Sequence, residues 1–305
     1  MKRMILLLVL AFSASAYSQV LYSISGNGLQ QPSYVLGIIP FVPESYVDSI
    51  PGLREVIKNV GQGYGEMGIE EPDVEKEAEA DEEEEIDHSL PDDLTMEELL
   101  SAEDVALTDS LLNLDPGIDM SDEDQKEYLH TLDLRFIATL LLQNRLMPPA
   151  GSYGLGIEGY IQTLVPAYGG LETSAYQEKI LFPPMTAAKQ KDYLHKTLAN
   201  IDALEKANRA IVTAYRTQDI KAIEAAYDYN KLLEVGLQLS TQKEMDEMED
   251  RTINRRNQQW VQRMPRIMSQ KPTLFTFGVG HLLGEKGVLQ LLRKGGYKVN
   301  PVKTQ

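Results

Sequence analysis

The sequence predicts an α/β fold, with a small central sheet built from two strand–glycine-turn–helix half-domains and a large helical cap. Near the C-terminus an apolar run, Leu274–Phe277, enters the glycine-lined turn Gly278–Gly287, and a short helical segment follows. Near the N-terminus Ser33–Leu36 enters the turn Gly37–Pro40, and Ser45–Val60 has a helical pattern interrupted by a proline. Strand, turn and helix in this order form the repeating unit of a parallel sheet. The long stretch between the two units has mostly helical spacing, which predicts the cap.

The first residues have the features of an export signal. Two basic residues precede an apolar stretch, Met4–Phe12, that is too short to cross a bilayer, and Ala14-Ser15-Ala16 is typical of a cleavage site. We therefore expect residues 1–16 to be a signal peptide and residues 17–305 to form one exported domain, periplasmic or secreted, without a transmembrane segment. The chain has no cysteine, which excludes lipid attachment at a cleavage-site cysteine, disulfides and thiolate metal sites.

The first elements after the signal are predicted to form a hairpin. Val20–Ile24 has β-rich alternation, and the Gly26-Asn27-Gly28 turn joins it to the Ser33–Leu36 strand. Gly61–Gly68 follows and is a poor strand by propensity because it is rich in glycine.

An acidic segment interrupts the chain next. Twelve carboxylates between Glu70 and Asp87 face one lysine, Lys76, and we expect a disordered insertion at about 70–92. The net charge of −17 argues against nucleic acid as a partner, because phosphates would be repelled. The acidic segment could instead recruit cations or a basic partner.

The cap is predicted from capping boxes and apolar stripes. Boxes at Thr95–Glu98 and Ser121–Asp124 start helices, and the second helix should continue through Tyr128 to Met147, where two prolines end it. Leu155–Val165 predicts a helix and Tyr168–Leu171 a short strand. The rest of the cap pattern comprises one stripe over Leu194, Leu198, Ile201 and Leu204 and a short piece near Ile220–Tyr227. A final helix is capped by Thr241–Glu244 and runs through Trp260, which we expect in the core.

His281 is the best candidate for a functional side chain. It is the only one of the four histidines that lies in a glycine-lined turn after a strand, where ligand-binding groups of α/β proteins collect. Gly278 and Gly280 allow close approach of another group. A neutral imidazole suits zinc, manganese or iron, and a histidine held only by backbone hydrogen bonds is the alternative. His88, His130 and His195 have no ligand-spaced partner and are expected to be structural or solvated.

These blocks resemble the TraB/GumN family, whose relatives include the Tiki-type membrane proteases. The resemblance runs from about Leu21 to Val302. It is carried by Pro32–Gly37, by Gly170–Thr173 with Gln177, by Arg256-Asn257 with Trp260, and by Gly278–Gly287. The family has two Gly-x-x-His motifs, so the resemblance implies a metal-dependent peptidase in which two histidines and a glutamate hold a divalent metal such as Mn, Zn or Co.

The resemblance also assigns positions to the remaining site residues. Glu66, at the end of the doubtful strand, and Glu172 match family carboxylates and would join His281 as catalytic and metal-ligating residues. A carboxylate at a helix N-terminus is the alternative for Glu172. Arg256 and Asn257 match an Arg-Asn pair that would hold the substrate, or else would brace a helix against the sheet.

The first motif departs from the family pattern. Gly37 is present, but Pro40 stands where the family has histidine, and proline has no side chain that could bind a metal. Our preferred hypothesis is a non-catalytic or weakly active relative that serves as a periplasmic binding or interaction protein for a peptide or protein, with any metal held weakly. An active hydrolase on His281, Glu66 and Glu172 is the second hypothesis. A scaffold that recruits a basic partner through the acidic segment is the third.

Overall fold

The computed structural model describes residues 17–68, 88–148 and 152–303 of the 305-residue chain. The predicted signal peptide and residues 70–87 of the predicted insertion lie outside the described residues. Within them the α/β class is confirmed. The strands are β1 (Tyr17–Ser25), β2 (Ser33–Ile38), β3 (Gln62–Met67), β4 (Tyr168–Glu172), β5 (Thr273–Gly278) and β6 (Lys298–Lys303).

These strands form a mixed sheet with the order β4-β3-β5-β2-β1-β6. β4, β3, β5 and β2 are parallel to one another, whereas β1 pairs antiparallel with both β2 and β6. The predicted hairpin is therefore confirmed. β6 was not predicted, because Pro301 and two lysines weaken its strand pattern; at an edge of the sheet they are tolerated.

Helices surround the sheet and build the cap. They are α1 (Leu53–Asn59), α2 (Met96–Leu99), α3 (Ala102–Leu112), α4 (Glu123–His130), α5 (Leu134–Leu146), α6 (Gly156–Leu164), α7 (Ser174–Leu181), α8 (Ala187–Ala199), α9 (Ile201–Thr217), α10 (Ile220–Gly236), α11 (Gln242–Glu249), α12 (Arg255–Gln270) and α13 (Val288–Lys294). Short 3₁₀ turns lie at Glu44–Ser49, Pro91–Asp93 and Val279–Leu282, and a π turn at Asp250–Asn254 joins α11 to α12. No described helix combines the length and the apolar composition needed to cross a membrane.

Three helix predictions were wrong in their extent. The helix expected through Tyr128 to Met147 is broken into α4 and α5, because the Asp133 carboxylate accepts the Arg135 N–H and starts a new helix. The stripe expected over one helix crosses the break at Asn200 between α8 and α9. The short piece at Ile220 extends to Gly236. Capping residues and turns override apolar periodicity at these points.

Two of the predicted capping boxes are confirmed, and the third helix starts at a different cap residue. Those at Thr95 and Thr241 are confirmed, with the side chain of the third helical residue returning to the N-cap backbone in each. At the start of α4 the cap is Asp122 and not Ser121, since the Asp122 carboxylate accepts two helical N–H groups.

Two apolar clusters hold the described residues. The first lies around the sheet, where central β5 is buried on both faces, as expected for a strand of a parallel sheet. Trp260 of α12 is fully buried there, which confirms its predicted core position. The second cluster joins α2 to α5 and α8 inside the cap. Leu90 belongs to it, so the last residues of the segment that we predicted as an insertion pack against the cap.

In β3 and β4, a tyrosine ring of each strand packs over a glycine of the other strand. A Cβ at Gly63 would come within 2.7 Å of the Tyr168 ring, and one at Gly169 would come equally close to the ring of Tyr64. Each tyrosine therefore lies across glycines of the neighbouring strand. This packing explains why Gly61–Gly68 forms a strand despite its poor propensity.

Candidate functional site

Both glycine turns meet at one edge of the sheet. The parallel pairing of β2 with β5 places Gly37 opposite Phe277, so the chain leaves both strands at the same end. A Cβ on Gly37 would lie 2.6 Å from Leu282 and 2.9 Å from Val279, which only a glycine avoids. The buried Tyr215 hydroxyl of α9 donates to the Gly37 carbonyl at 2.9 Å and fixes the first turn from the cap side.

Pro40 is exposed at the end of the first turn. Its carbonyl accepts a hydrogen bond from the Tyr153 hydroxyl. A neighbouring contact, from the Leu155 N–H to the Glu44 carboxylate at 3.1 Å, holds the segment around Tyr153 close to this loop. The turn is thus held through backbone groups, and the Pro40 side chain contributes no donor or acceptor.

The structure brings together Glu66, Glu172 and His281 at this edge. Glu66 ends β3, Glu172 ends β4, and His281 lies in the 3₁₀ turn after β5. The side chains of Glu172 and His281 are only 2% and 4% exposed, whereas that of Glu66 is 22% exposed. Glu66 is therefore the member of this group that solvent and ligands can reach.

Arg256 lies between these three side chains. Its Nε donates to both Glu172 oxygens at 2.9 and 3.2 Å, and its Nη2 donates to Glu172 at 2.5 Å and to Glu66. Its Nη1 bonds the Thr252 carbonyl at 3.0 Å and contacts His281 Nε2 at 3.1 Å. All the donors of the guanidinium are thus used within the protein.

The π turn places Arg256 at this position. Arg255 N–H bonds the carbonyl of Asp250, five residues earlier, and the Arg256 side chain bonds the Thr252 carbonyl of the same turn. Four residues further along α12, the Trp260 ring lies 4.8 Å from the Arg256 guanidinium carbon. The charges of Glu172 and Glu66 raise the pKa of Arg256 above its usual value, although burial opposes them.

Glu172 is fully engaged by donors. Besides Arg256, Trp260 Nε1 donates to it at 3.0 Å and Gln177 Nε2 at 3.1 Å. Because every partner is an N–H donor, both oxygens of the Glu172 side chain act as acceptors. Its geometry corresponds to an anchor that holds Arg256 and Trp260 in place.

His281 is a neutral imidazole with one tautomer. Its Nε2 faces Arg256, which can only donate, so Nε2 is the acceptor and Nδ1 carries the proton. Nδ1 donates to the Asn257 side-chain oxygen at 2.7 Å, while the amide nitrogen of Asn257 donates to the carbonyls of His281 and Lys286 at 3.3 and 3.0 Å. Burial lowers the pKa of His281 to about 3; Glu66 opposes this shift and Arg256 adds to it.

Glu66 keeps one oxygen largely free. Its Oε2 accepts from Arg256 and from Gln177 at 3.0 Å, whereas Oε1 accepts only the Gly278 N–H at 2.8 Å and lies 3.7 Å from His281 Nε2. Burial would raise the pKa of Glu66, but the Arg256 charge and the hydrogen bonds from Arg256 and Gly278 outweigh burial and lower it. The residue is an ionised carboxylate.

A second polar cluster near this edge was not predicted. The carboxyl group of Glu158 in α6 lies 2.9 Å from the Tyr168 hydroxyl and 3.2 Å from the Thr276 hydroxyl, and the two hydroxyls lie within hydrogen-bond distance of each other. Burial and the charge of Glu66 raise the pKa of Glu158. A Cβ at Gly65 would come within 2.7 Å of both Tyr168 and Glu158 oxygens. The spacing of Gly63 and Gly65 was the only sequence signal of this cluster.

Tyr227 of α10 also reaches the site from the cap. Its ring would lie 3.5 Å from a Cβ at Gly280, next to His281. Burial and the nearby Glu66 charge raise the pKa of Tyr227 to about 12. The remaining histidines lie elsewhere, with His130 buried between Glu97 and Asp109 and His195 bonded to Asp104.

In the observed arrangement of side chains, the residues predicted as metal ligands do not form a metal site. The acceptor nitrogen of His281 faces the Arg256 guanidinium, and the oxygens of Glu172 are occupied by donors. Pro40 supplies no ligand. Among the described residues no group of three His, Asp or Glu side chains is arranged to hold a metal.

Comparison with known proteins agrees with the resemblance in the sequence. No curated protein and no solved structure matches the chain. A family model described as the TraB/PrgY/gumN family matches residues 20–301, which covers nearly all of the sheet, the cap and every residue of the site. The chain therefore belongs to the TraB/PrgY/gumN family.

Proposed function

We propose that this protein is an exported binding protein of its family, which holds a peptide or protein ligand at the carboxyl edge of the sheet without metal-dependent hydrolysis. The observation that carries the proposal is the position of Arg256, which bonds both carboxylates and faces the acceptor nitrogen of His281. Export is supported by the N-terminal sequence alone.

Arg256 makes metal binding costly. A metal ion would have to displace guanidinium bonds from Glu66, Glu172 and His281 before it could use their lone pairs. The buried guanidinium would then lack its counter-charges, which is among the most expensive changes inside a protein. With Pro40 in the first turn, no second imidazole offsets that cost. The arrangement therefore favours binding over metal-assisted chemistry.

Convergence of Glu66 and His281 supports one alternative function, an active hydrolase. Glu66 Oε1 and His281 Nε2 are 3.7 Å apart, and Glu66 is the more exposed of the two side chains. The hydrolase alternative requires the Arg256 guanidinium to move away from His281. It predicts that activity depends on added metal and is lost in His281→Ala.

The decisive experiment measures metal content, cleavage and retention together. The mature chain is dialysed against Mn²⁺, Zn²⁺ or Co²⁺ and analysed by mass spectrometry. It is then incubated with a pool of random-sequence heptapeptides in equilibrium dialysis, with and without EDTA. We expect metal well below one equivalent and a subset of peptides retained intact, with no effect of EDTA.

Two variants provide controls. Pro40→His should raise metal content, and His281→Ala in that background should abolish the gain, whereas Pro43→His in the neighbouring loop should change nothing. EDTA-sensitive cleavage by the natural chain would establish the hydrolase alternative. Absence of any retained peptide would refute the binding function.

A further inference from the structure

The outer side of α3 in the cap carries apolar side chains that no described element covers. Leu107 and Leu114 are 41% and 65% exposed and belong to neither apolar cluster, whereas Leu112 of the same helix is fully buried. Spacings of four and three residues place Leu107, Leu111 and Leu114 along one side of α3 and of the turn that follows it. A helix whose apolar residues extend beyond its core-facing side is typical of one that a further element covers.

An open pocket lies beside the same helix, between α2, α3 and α4. Its volume is about 330 Å³, and its lining consists of Glu97, Ala102, Val105, Ala106, Asp109 and Lys126. Lys126 is bonded to Asp109 at 2.7 Å, whereas the side chain of Glu97, which bonds buried His130, is 51% exposed. This lining suits a lysine or arginine of a partner, whose aliphatic stem packs on the alanines and the valine while its charged head reaches Glu97.

The charge of the surrounding surface decides which partner fits. From Asp92 to Glu127 the chain has thirteen acidic residues and one lysine, Lys126. Ten of the thirteen are exposed, so this charge is presented to solvent. Such a surface repels the phosphates of anionic lipids and also repels a second copy of itself. It attracts a basic protein segment, and the exposed leucines require that segment to have an apolar side as well.

We propose that this side of α3 is a docking surface for a basic amphipathic helix of another protein. The helix buries its apolar side on Leu107 and Leu114 and places a lysine or arginine in the pocket between α2, α3 and α4. The proposal goes beyond binding at the sheet edge, because it concerns a second surface that lies in the cap. It also differs from recruitment by the acidic segment at 70–87, since it requires the leucines as well as the charge.

The test measures fluorescence anisotropy of three labelled peptides with the mature chain. Each peptide has about 18 residues, which is enough for about five helical turns. The first has leucine at helical spacing and lysine elsewhere, the second has the same composition with scrambled leucine positions, and the third has glutamate in place of lysine. We expect the first to bind at least about tenfold more tightly than either of the others, and to bind more weakly in high salt. Equal binding of the first two peptides would overturn the proposal.

Variants of the exposed leucines locate the surface. Leu107→Ser combined with Leu114→Ser should weaken binding of the first peptide by at least about tenfold. Tyr229→Ser combined with Leu232→Ser removes a comparably exposed apolar pair from α10 and should leave binding unchanged. Because all four side chains are exposed, the unfolding midpoint should stay the same in both double variants. Equal effects of the two double variants on binding would refute the assignment to α3.

Charge reversal provides an independent variant. Glu103→Lys, at an exposed position in the first turn of α3, should weaken binding of the first peptide by about two- to fivefold, whereas Glu55→Lys, exposed on α1, should not. Sedimentation of the chain without peptide tests the other occupant. If the chain forms a dimer that Leu107→Ser with Leu114→Ser dissociates, a second copy covers this side of α3 and the proposal is wrong.

Discussion

Removal of Arg256 should be the most damaging single change at the site. Arg256→Met removes the guanidinium from the Trp260 face, and Glu66 and Glu172 lose their counter-charge. Breaking a buried ion pair by removing one partner typically costs about 3–5 kcal/mol. Because one guanidinium serves two carboxylates here, we expect a loss at the upper end of that range.

The assay is urea unfolding of the natural chain and the variant at neutral pH. Arg255→Met is the matched control, because Arg255 is the adjacent residue and its ion pair with Asp250 is exposed. The control should lose less than about 1 kcal/mol. Equal losses in the two variants would refute the view that Arg256 holds the cluster together.

A double-mutant cycle separates two contributions to the stability lost in Arg256→Met. One is the lost attraction between Arg256 and Glu172, and the other is the cost of leaving the Glu172 carboxylate buried without a partner. If most of the loss comes from the carboxylate left without its partner, Arg256→Met should cost at least about 1 kcal/mol less in a Glu172→Gln background. Additive losses would show that Arg256 and Glu172 stabilise the fold independently, contrary to the hydrogen bonds between them.

Three further predictions concern the supporting structure. Burial raises the pKa of Glu234 from 4.5 to about 7, so between these pH values the unfolded chain binds fewer protons than the folded chain. The free energy of unfolding therefore falls as pH rises through this range. Glu234→Gln should remove about 2 kcal/mol of the fall measured by urea unfolding between pH 5 and pH 8, after allowance for partial exposure. Gly65→Ala should lower the free energy of unfolding by about 1–3 kcal/mol through the clash with Tyr168, whereas Gly236→Ala, which has open space, should not lower it. Tyr215→Phe should cost about 1–2 kcal/mol because the buried Gly37 carbonyl loses its donor, whereas exposed Tyr229→Phe should leave the unfolding midpoint unchanged.

The sequence predicts best a strand that is buried on both faces and helix starts that are closed by local contacts. The Leu274–Phe277 run is buried on both faces because β5 is central, and the capping boxes at Thr95 and Thr241 are closed by residues three positions away. The helix break at Asp133 was not predicted. Apolar periodicity continues across it, and only the aspartate cap indicates a new helix.

The sequence named residues that the structure brings together, but it did not predict how they are connected. The family resemblance named Glu66, Glu172, Arg256, Asn257 and His281, and the structure places all five in contact at one sheet edge. The π turn before Arg256 has no sequence signature, and it helps to direct the guanidinium to the carboxylates. The Glu158 cluster depends on glycines in β3 and a tyrosine in β4, about a hundred residues apart, so no local pattern indicates it.

The loss of the first motif histidine has a physical consequence beyond one missing ligand. Arg256 and a metal ion compete for the same lone pairs on Glu66 and His281. In the proposed binding function the guanidinium keeps these lone pairs when only one imidazole is present, because its bonds to the carboxylates, to Thr252 and to the Trp260 face are already in place. The same bonds leave Glu66 Oε1, whose one hydrogen bond comes from Gly278, as the acceptor with the fewest partners in the cluster.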